Sequence, residues 1–331
     1  MAKMKTFVPA PYEGEHIMGT AARWLHLLGQ SDKQIGFERL THSNQALSGQ
    51  YVYHPMMDFM QEAYSSEMKR RSLFLNHTLL PYYSASLRFT KLDLILNKRV
   101  DKGRMWKKEQ SVKAVYPISA PGQTLTRHTS HWRWCPHCVQ EDEIRVGIPY
   151  WHVRHQLPSA QTCYRHAGVL LLERCSQCEH EITDLRYGAM PPSNNVCKEC
   201  NTSIQYSNIA LNDNQYWVEQ ASFALQNDVG ELSAHKYSHL MRRGIQAGFA
   251  KILNGRVNKS VFVAAQLQAE FKEWVFENGF DEFFSDPDLA VQSKILNIET
   301  ALGNVNTWPP VSILLWLRFM RVAWPSAIQA A

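Results

Sequence analysis

The first 134 residues hold no cysteine, and neither do the last 131; all seven of the chain's cysteines fall between positions 135 and 200. An odd count crowded into one stretch suits a disulfide framework badly, and a chain of 331 residues has little need of one. No apolar run approaches the ~18 residues of a membrane helix. The longest candidate, Val311 to Phe319, is interrupted by Arg318. The opening Met-Ala-Lys-Met-Lys-Thr-Phe-Val-Pro has no apolar signal core, so the expectation is a cytoplasmic protein with no membrane contact. Glycine (16) and proline (15) are too few for collagen-like or low-complexity chains. Excess charge is small as well: 35 Lys and Arg against 30 Asp and Glu leave +5, so any nucleic-acid binding must rest on local patches. Signatures of catalytic zinc are missing too. There is no His-Glu-x-x-His, and no His-x-Glu precedes a Pro-Cys-x-x-Cys.

Six of the seven cysteines form three Cys-x-x-Cys pairs: Cys135 and Cys138, Cys175 and Cys178, Cys197 and Cys200. The seventh sits in Cys163-Tyr-Arg-His166, with a histidine at the same offset. Four such knuckles supply eight soft ligands, enough for two tetrahedral sites. A two-residue gap in a tight turn lets both side chains converge on one ion, and a structural Zn²⁺ takes four S or N ligands and leaves no open position. The last two pairs are 18 residues apart and the first two 24, so sequential pairing is expected: Cys135, Cys138, Cys163 and His166 on one Zn²⁺, and Cys175, Cys178, Cys197 and Cys200 on a second. A crossed arrangement stays open, because spacing alone does not fix connectivity. Redox Cys-x-x-Cys chemistry would leave the Cys/His substitution unexplained. Saturated sites argue against an enzyme; a zinc-dependent nuclease would need carboxylates beside a histidine cluster. Of the neighbouring histidines (128, 131, 137, 152, 155 and 180), His152 is the best spare ligand, in the aromatic run Tyr150-Trp151-His152.

Elsewhere the chain reads as helical, giving a mainly α fold with small zinc-ribbon β elements. Ile17, Ala21, Trp24, Leu25 and Leu28 share one face of a helix over 13–29, with Glu13 and Glu15 in its first turn and Gly29 at its end. Pro55 opens another, with Met56, Phe59 and Met60 on one face. Ser260 is placed to cap a helix bearing Val261, Ala264, Leu267, Phe271 and Trp274, with Gly279 just past it, and the segment from Trp308 to Trp324 reads as a core helix with Trp316 inside. Three regions follow: a helical 1–130, a tandem zinc-ribbon 131–205, and a helical 206–331 that is helix-turn-helix-like at about 233–279. Two stretches are basic. Over 86–116 the cations include Lys98, Arg99, Lys102, Arg104, Lys107 and Lys108; from Leu232 to Ala269 there is no acid, but Lys236, Arg242, Arg243, Lys251, Arg256 and Lys259 occur. Either is a solvated face or a phosphate-contacting strip, and the second block is a plain helical hairpin or a DNA reader.

These motifs resemble the TniQ/TnsD family, the target-selection proteins of Tn-seven-type transposons. The resemblance rests on Pro9-Ala-Pro11-Tyr12-x-x-Glu15 with Arg23-Trp24; on Asn76-His77-Thr78-Leu79-Leu80-Pro81-Tyr82-Tyr83; and above all on Arg133-Trp-Cys135-Pro-His-Cys138 through Tyr150-Trp-His152-x-x-His155-Gln156-Leu157-Pro158 to Cys163-x-x-His166. It implies a bacterial, DNA-associated adaptor that is not the transposase: it binds double-stranded target DNA and recruits an AAA+ ATPase regulator. The related CRISPR-associated branch docks on a guide-RNA effector complex instead. Phe7, Tyr12 and Trp24 are candidate partner-binding anchors, with plain core packing an equal reading for Trp24, and a homodimer and a zinc-ribbon transcription regulator stay open.

Overall fold

A computed structural model of the chain describes residues 9–28, 70–84, 131–185, 188–227, 261–284, 296–298 and 308–321. The chain forms two compact units, one of residues 1–80 and 128–210, the other of 81–127 and 211–331. The first unit therefore draws the N-terminal segment and the cysteine-bearing stretch into one body.

In that unit α1 spans Ile17–Leu28 and is buried from Ile17 through Leu25. The expected amphipathic helix is thus covered on all sides for most of its length, and it begins later than Glu13 and Glu15. Glu15 lies in a turn ahead of it, where its carboxylate accepts from the Tyr12 N–H (2.7 Å) and from Arg23 Nε (2.9 Å) and Nη2 (2.8 Å). The acid expected to face the helix dipole is a buried ion-pair partner instead. The backbone around Glu15 pairs with the Tyr150-Trp151-His152 run: His16 N–H donates to Trp151 O (2.7 Å) and Val153 N–H to Gly14 O (2.8 Å). Gly19 then lies flat on Trp151; a Cβ there would come within 2.9 Å of the Trp151 Cβ. Trp132 and Trp134 complete this core, 5.5 and 6.3 Å from Trp151 between ring centroids.

Two short helices, α2 (Arg70–His77) and α3 (Leu80–Ser84), carry the Asn-His-Thr-Leu-Leu-Pro segment. Thr78 breaks them apart: its hydroxyl bonds the Phe74 carbonyl (2.5 Å) and accepts from the Leu80 N–H (3.1 Å), capping α3 ahead of Pro81. Helix α4 (Pro136–Val146) starts with Cys135 in extended conformation and Pro136 in its first turn, and ends at Gly147 with φ of 79°.

Within the described residues the cysteine region has antiparallel bridges of one residue pair each, not extended ribbons. Thr162 pairs with Leu170, Arg174 with Glu181 and Val196 with Ser203. The two all-cysteine knuckles repeat one turn. In each, the residue after the second cysteine is left-handed (Glu179 at 56°, Asn201 at 55°). Its N–H returns to the carbonyl of the first cysteine (3.1 and 2.9 Å), and the N–H of the first cysteine reaches His180 O or Thr202 O (2.9 Å each).

The second unit packs α7 (Pro310–Phe319) against α5 (Asp213–Asn227) and α6 (Val261–Glu277). Its core is aromatic: Phe271 meets Trp316 edge-on at 5.2 Å and lies parallel to Trp308 at 6.5 Å. Trp316 is fully buried, as the sequence pattern implied. Asn212 and Gln215 form a reciprocal cap at the start of α5, the Asn212 side chain accepting from the Asn214 and Gln215 N–H groups (2.9 Å each) and the Gln215 side chain from the Asn212 N–H (3.0 Å). The segments around Pro55 and over 233–259 lie outside the described residues.

Candidate metal centres

The eight proposed ligands converge as two groups of four. In the first, Cys135, Cys138, Cys163 and His166 place their donor atoms within 4.8 Å of one another. His166 Nδ1 is 3.5 Å from each of the three sulfurs, and Cys138 Sγ is 3.5 Å from Cys163 Sγ. In the second, Cys175, Cys178, Cys197 and Cys200 converge, with Cys175 to Cys200 and Cys178 to Cys197 both at 3.7 Å. Bonds of ~2.3 Å to sulfur and ~2.0–2.1 Å to nitrogen put tetrahedral ligand atoms ~3.5–3.8 Å apart, so both groups fit a metal ion. Pairing is sequential, which removes the crossed arrangement.

The two groups differ in setting. The three cysteines of the first are buried. Cys135 precedes α4 and Cys138 sits in its first turn, where unpaired N–H groups favour thiolate. Hydrogen bonds from Cys135 and Cys138 drive the Cys163 thiol strongly toward thiolate, and hydrogen bonds with Cys135 and Cys163 push Cys138 up. Without metal this cluster shares protons; a cation would replace them. His166 turns its other nitrogen to Glu141 Oε1 (2.9 Å), and that bond holds the Glu141 carboxyl below its usual range. A carboxylate on the far side of a ligating imidazole fixes ring orientation and tautomer. Arg165 Nη2 pairs with the same Glu141 at 2.5 Å. The second group lies nearer solvent: Cys178 is exposed, and hydrogen bonds from Thr202 lower Cys200 to about 6.

His152, the expected spare ligand, is turned away from sulfur. Its Nε2 meets Asp142 Oδ2 at 2.8 Å and its Nδ1 meets Tyr164 Oη at 3.0 Å, with the Tyr150 ring stacked on it at 4.4 Å. Burial raises the Tyr164 hydroxyl well above its ordinary range, so it is a hydrogen-bonding group and not a poised nucleophile. The histidine that reaches the cluster is His155, 3.4 Å from Cys163 Sγ and 3.8 Å from Cys138 Sγ. Burial lowers it to about 4. The sequence carried no sign of which histidine in His152-x-x-His155 faces the sulfurs. Asp142 and Glu141 were equally silent there, as ordinary acids on a helix.

The remaining site expectations divide by location. Trp24 is buried at 7% exposure, and Tyr12 is half-buried, with the Arg23 guanidinium 4.1 Å above its ring and Tyr150 at 5.3 Å. Both are committed to the first unit's own packing. Phe7 lies outside the described residues, as do Lys98, Arg99, Lys102, Arg104, Lys107, Lys108, Lys236, Arg242, Arg243, Lys251, Arg256 and Lys259.

Residues 6–170 match the TniQ family model, the span that builds α1, its partners and the first metal group. The chain belongs to the TniQ family. No curated protein matches it. TniQ proteins are target-selection adaptors of transposition, and the TniQ match places this chain among them. The match ends four residues beyond His166, so the second metal group lies outside the matched span.

Proposed function

We propose that this TniQ protein is a non-enzymatic adaptor that binds double-stranded target DNA and recruits an AAA+ transposition regulator, with two Zn²⁺ ions as its scaffold. The carrying observation is the TniQ match over residues 6–170, which include the N-terminal turn paired with the 151–153 backbone and the first Cys/His group. Three thiolates with one imidazole, and four thiolates, are donor sets that favour zinc over hard cations. With all four tetrahedral positions filled by protein, neither ion has a place for substrate or activated water. Zinc here would supply cross-links between chain segments, and its ligands would come from Cys135, Cys138, Cys163 and His166, and from Cys175, Cys178, Cys197 and Cys200.

Affinity for DNA would come from the basic stretches over 98–108 and 236–259, each neutralised phosphate adding a salt-dependent share. Among the described residues no helix is long and apolar enough to cross a membrane; a cytoplasmic, DNA-associated location goes with the adaptor reading. The test is a gel shift with duplex DNA across a salt series, together with pull-down of the AAA+ regulator with and without that duplex. Retention at low salt that fades as salt rises, with Arg242→Glu and Arg243→Glu weakening it about ten-fold or more, supports direct DNA binding. Absence of any duplex binding, with capture by a guide-RNA effector complex, would replace that route with RNA-guided docking.

A further inference from the structure

Beside the first metal group stands a nitrogen donor that the tetrahedron does not use. His155 Nε2 is within 3.4 Å of Cys163 Sγ and 3.8 Å of Cys138 Sγ, yet the four donors that are mutually close are Cys135, Cys138, Cys163 and His166. The imidazole is 1% exposed and flanked by the rings of His152 (4.7 Å) and Tyr164 (5.5 Å). Its backbone belongs to a 3₁₀ turn, Arg154–Gln156. The Gln156 amide clamps that turn to Arg133, accepting from its N–H (3.1 Å) and donating to its carbonyl (2.8 Å). Arg133 is two residues ahead of Cys135, so one clamp sets both the His155 ring and the first knuckle.

The chemistry of the contact follows from charge. Three thiolates and a neutral imidazole on a dication leave a net negative charge in a buried place, and buried charge is costly unless hydrogen bonds spread it. A ligated thiolate only accepts. The nitrogen facing sulfur is Nε2, so the tautomer that bonds the thiolates carries its proton there and leaves Nδ1 as an acceptor. Nδ1 is buried with no hydrogen-bond partner. The other tautomer would aim a lone pair at sulfur and strand a buried donor.

We propose that His155 donates its Nε2–H to the metal-bound thiolates of Cys163 and Cys138, acting as a positioning residue that slows metal release and blunts the nucleophilicity of those sulfurs. The inference rests on the metal-scaffold reading above. Loss of such an outer contact weakens metal binding about 10–100-fold in comparable sites.

The experiment uses the full chain loaded with zinc, in parallel with Co²⁺ substitution. It compares wild type with His155→Phe, which fills the space without an N–H, and His155→Gln, which restores one. Zinc transfer to a chromophoric chelator is followed by stopped flow, and the thiolate-to-cobalt charge-transfer band by absorbance. His155→Phe is expected to release one equivalent about ten-fold faster or more and to move the band to lower energy. His155→Gln should stay near wild type on both, and release from the second centre should not change in either variant. Wild-type release and an unmoved band in His155→Phe would overturn the proposal. So would five-coordinate cobalt in wild type that becomes four-coordinate in His155→Phe, since His155 would then be a ligand. If His155→Phe does not fold, His155→Gln decides: release about ten-fold faster than wild type overturns the proposal, and release within a few-fold sustains it. A wild-type chain that binds no metal at the first centre sinks the metal reading itself, and the inference falls with it.

Discussion

At the scale of single residues, the TniQ motif residues near the N-terminus are explained by close contacts and not by exposure. Tyr12, Glu15 and Arg23 form one interlocked group: the carboxylate takes two bonds from the guanidinium, and the guanidinium covers the tyrosine ring. Burial raises the Glu15 carboxyl above its ordinary range, and the Arg23 bonds pull the other way. A buried ion pair of this kind specifies geometry more than it stabilises. Gly19 has a similar logic, because any Cβ must push the Trp151 indole out of a core that also holds Trp132 and Trp134. Gly19→Ala should therefore lower stability by about 1–3 kcal/mol, read as a shift in the urea midpoint with zinc present. An unchanged midpoint would show that the tryptophan core yields freely. The eight ligands were legible in the sequence because a Cys-x-x-Cys turn is a local device, carrying its geometry in its own spacing. His155 was not legible, since which of two histidines three residues apart faces the sulfurs depends on the 3₁₀ turn and on the Gln156 clamp to Arg133. Glu15 misled for a related reason: an acid near a helix start reads as a dipole partner until its arginine, eight residues on, folds back over it.

Between elements, α2 is tied to the turn ahead of α1 by a bond from His77 Nδ1–H to the Glu15 carbonyl, 2.8 Å long. Burial lowers the His77 pKa from its ordinary 6.5. Above that value the ring is neutral in both folded and unfolded chains, and the contribution is fully present. As the pH falls below it, the unfolded chain takes up a proton that the folded chain refuses until a lower pH, so stability declines. Urea denaturation at about pH 7.5 and about pH 5.5 should show a larger loss in wild type than in His77→Asn, which has no group titrating in that window. Equal losses would remove His77 from the account. Helix positions at this scale were largely readable from apolar spacing, Trp316 included. The ribbons were not: the sequence suggested β elements, whereas the described knuckles close on single bridges. Each turn returns its chain to a cysteine after one pair, so convergence of the four side chains takes the place of a ladder.

For the molecule as a whole, the N-terminal turn, α1, α2 and the cysteine stretch belong to one unit that combines a tryptophan cluster with the two Cys/His groups. A chain held this way can present surfaces without devoting a large core to them, which suits an adaptor. On the metal-scaffold reading proposed above, metal binding would be part of folding free energy, not an addition to it. Zinc content by elemental analysis of the purified chain, set beside Cys163→Ser and Cys197→Ser, tests that claim most directly. The account predicts two equivalents in wild type and one in each variant. Cys163→Ser should also unfold the TniQ segment by circular dichroism and tryptophan fluorescence, while Cys197→Ser leaves the first centre filled. Fewer than two equivalents in wild type, or a fully stripped chain that keeps its tryptophan packing, would contradict it.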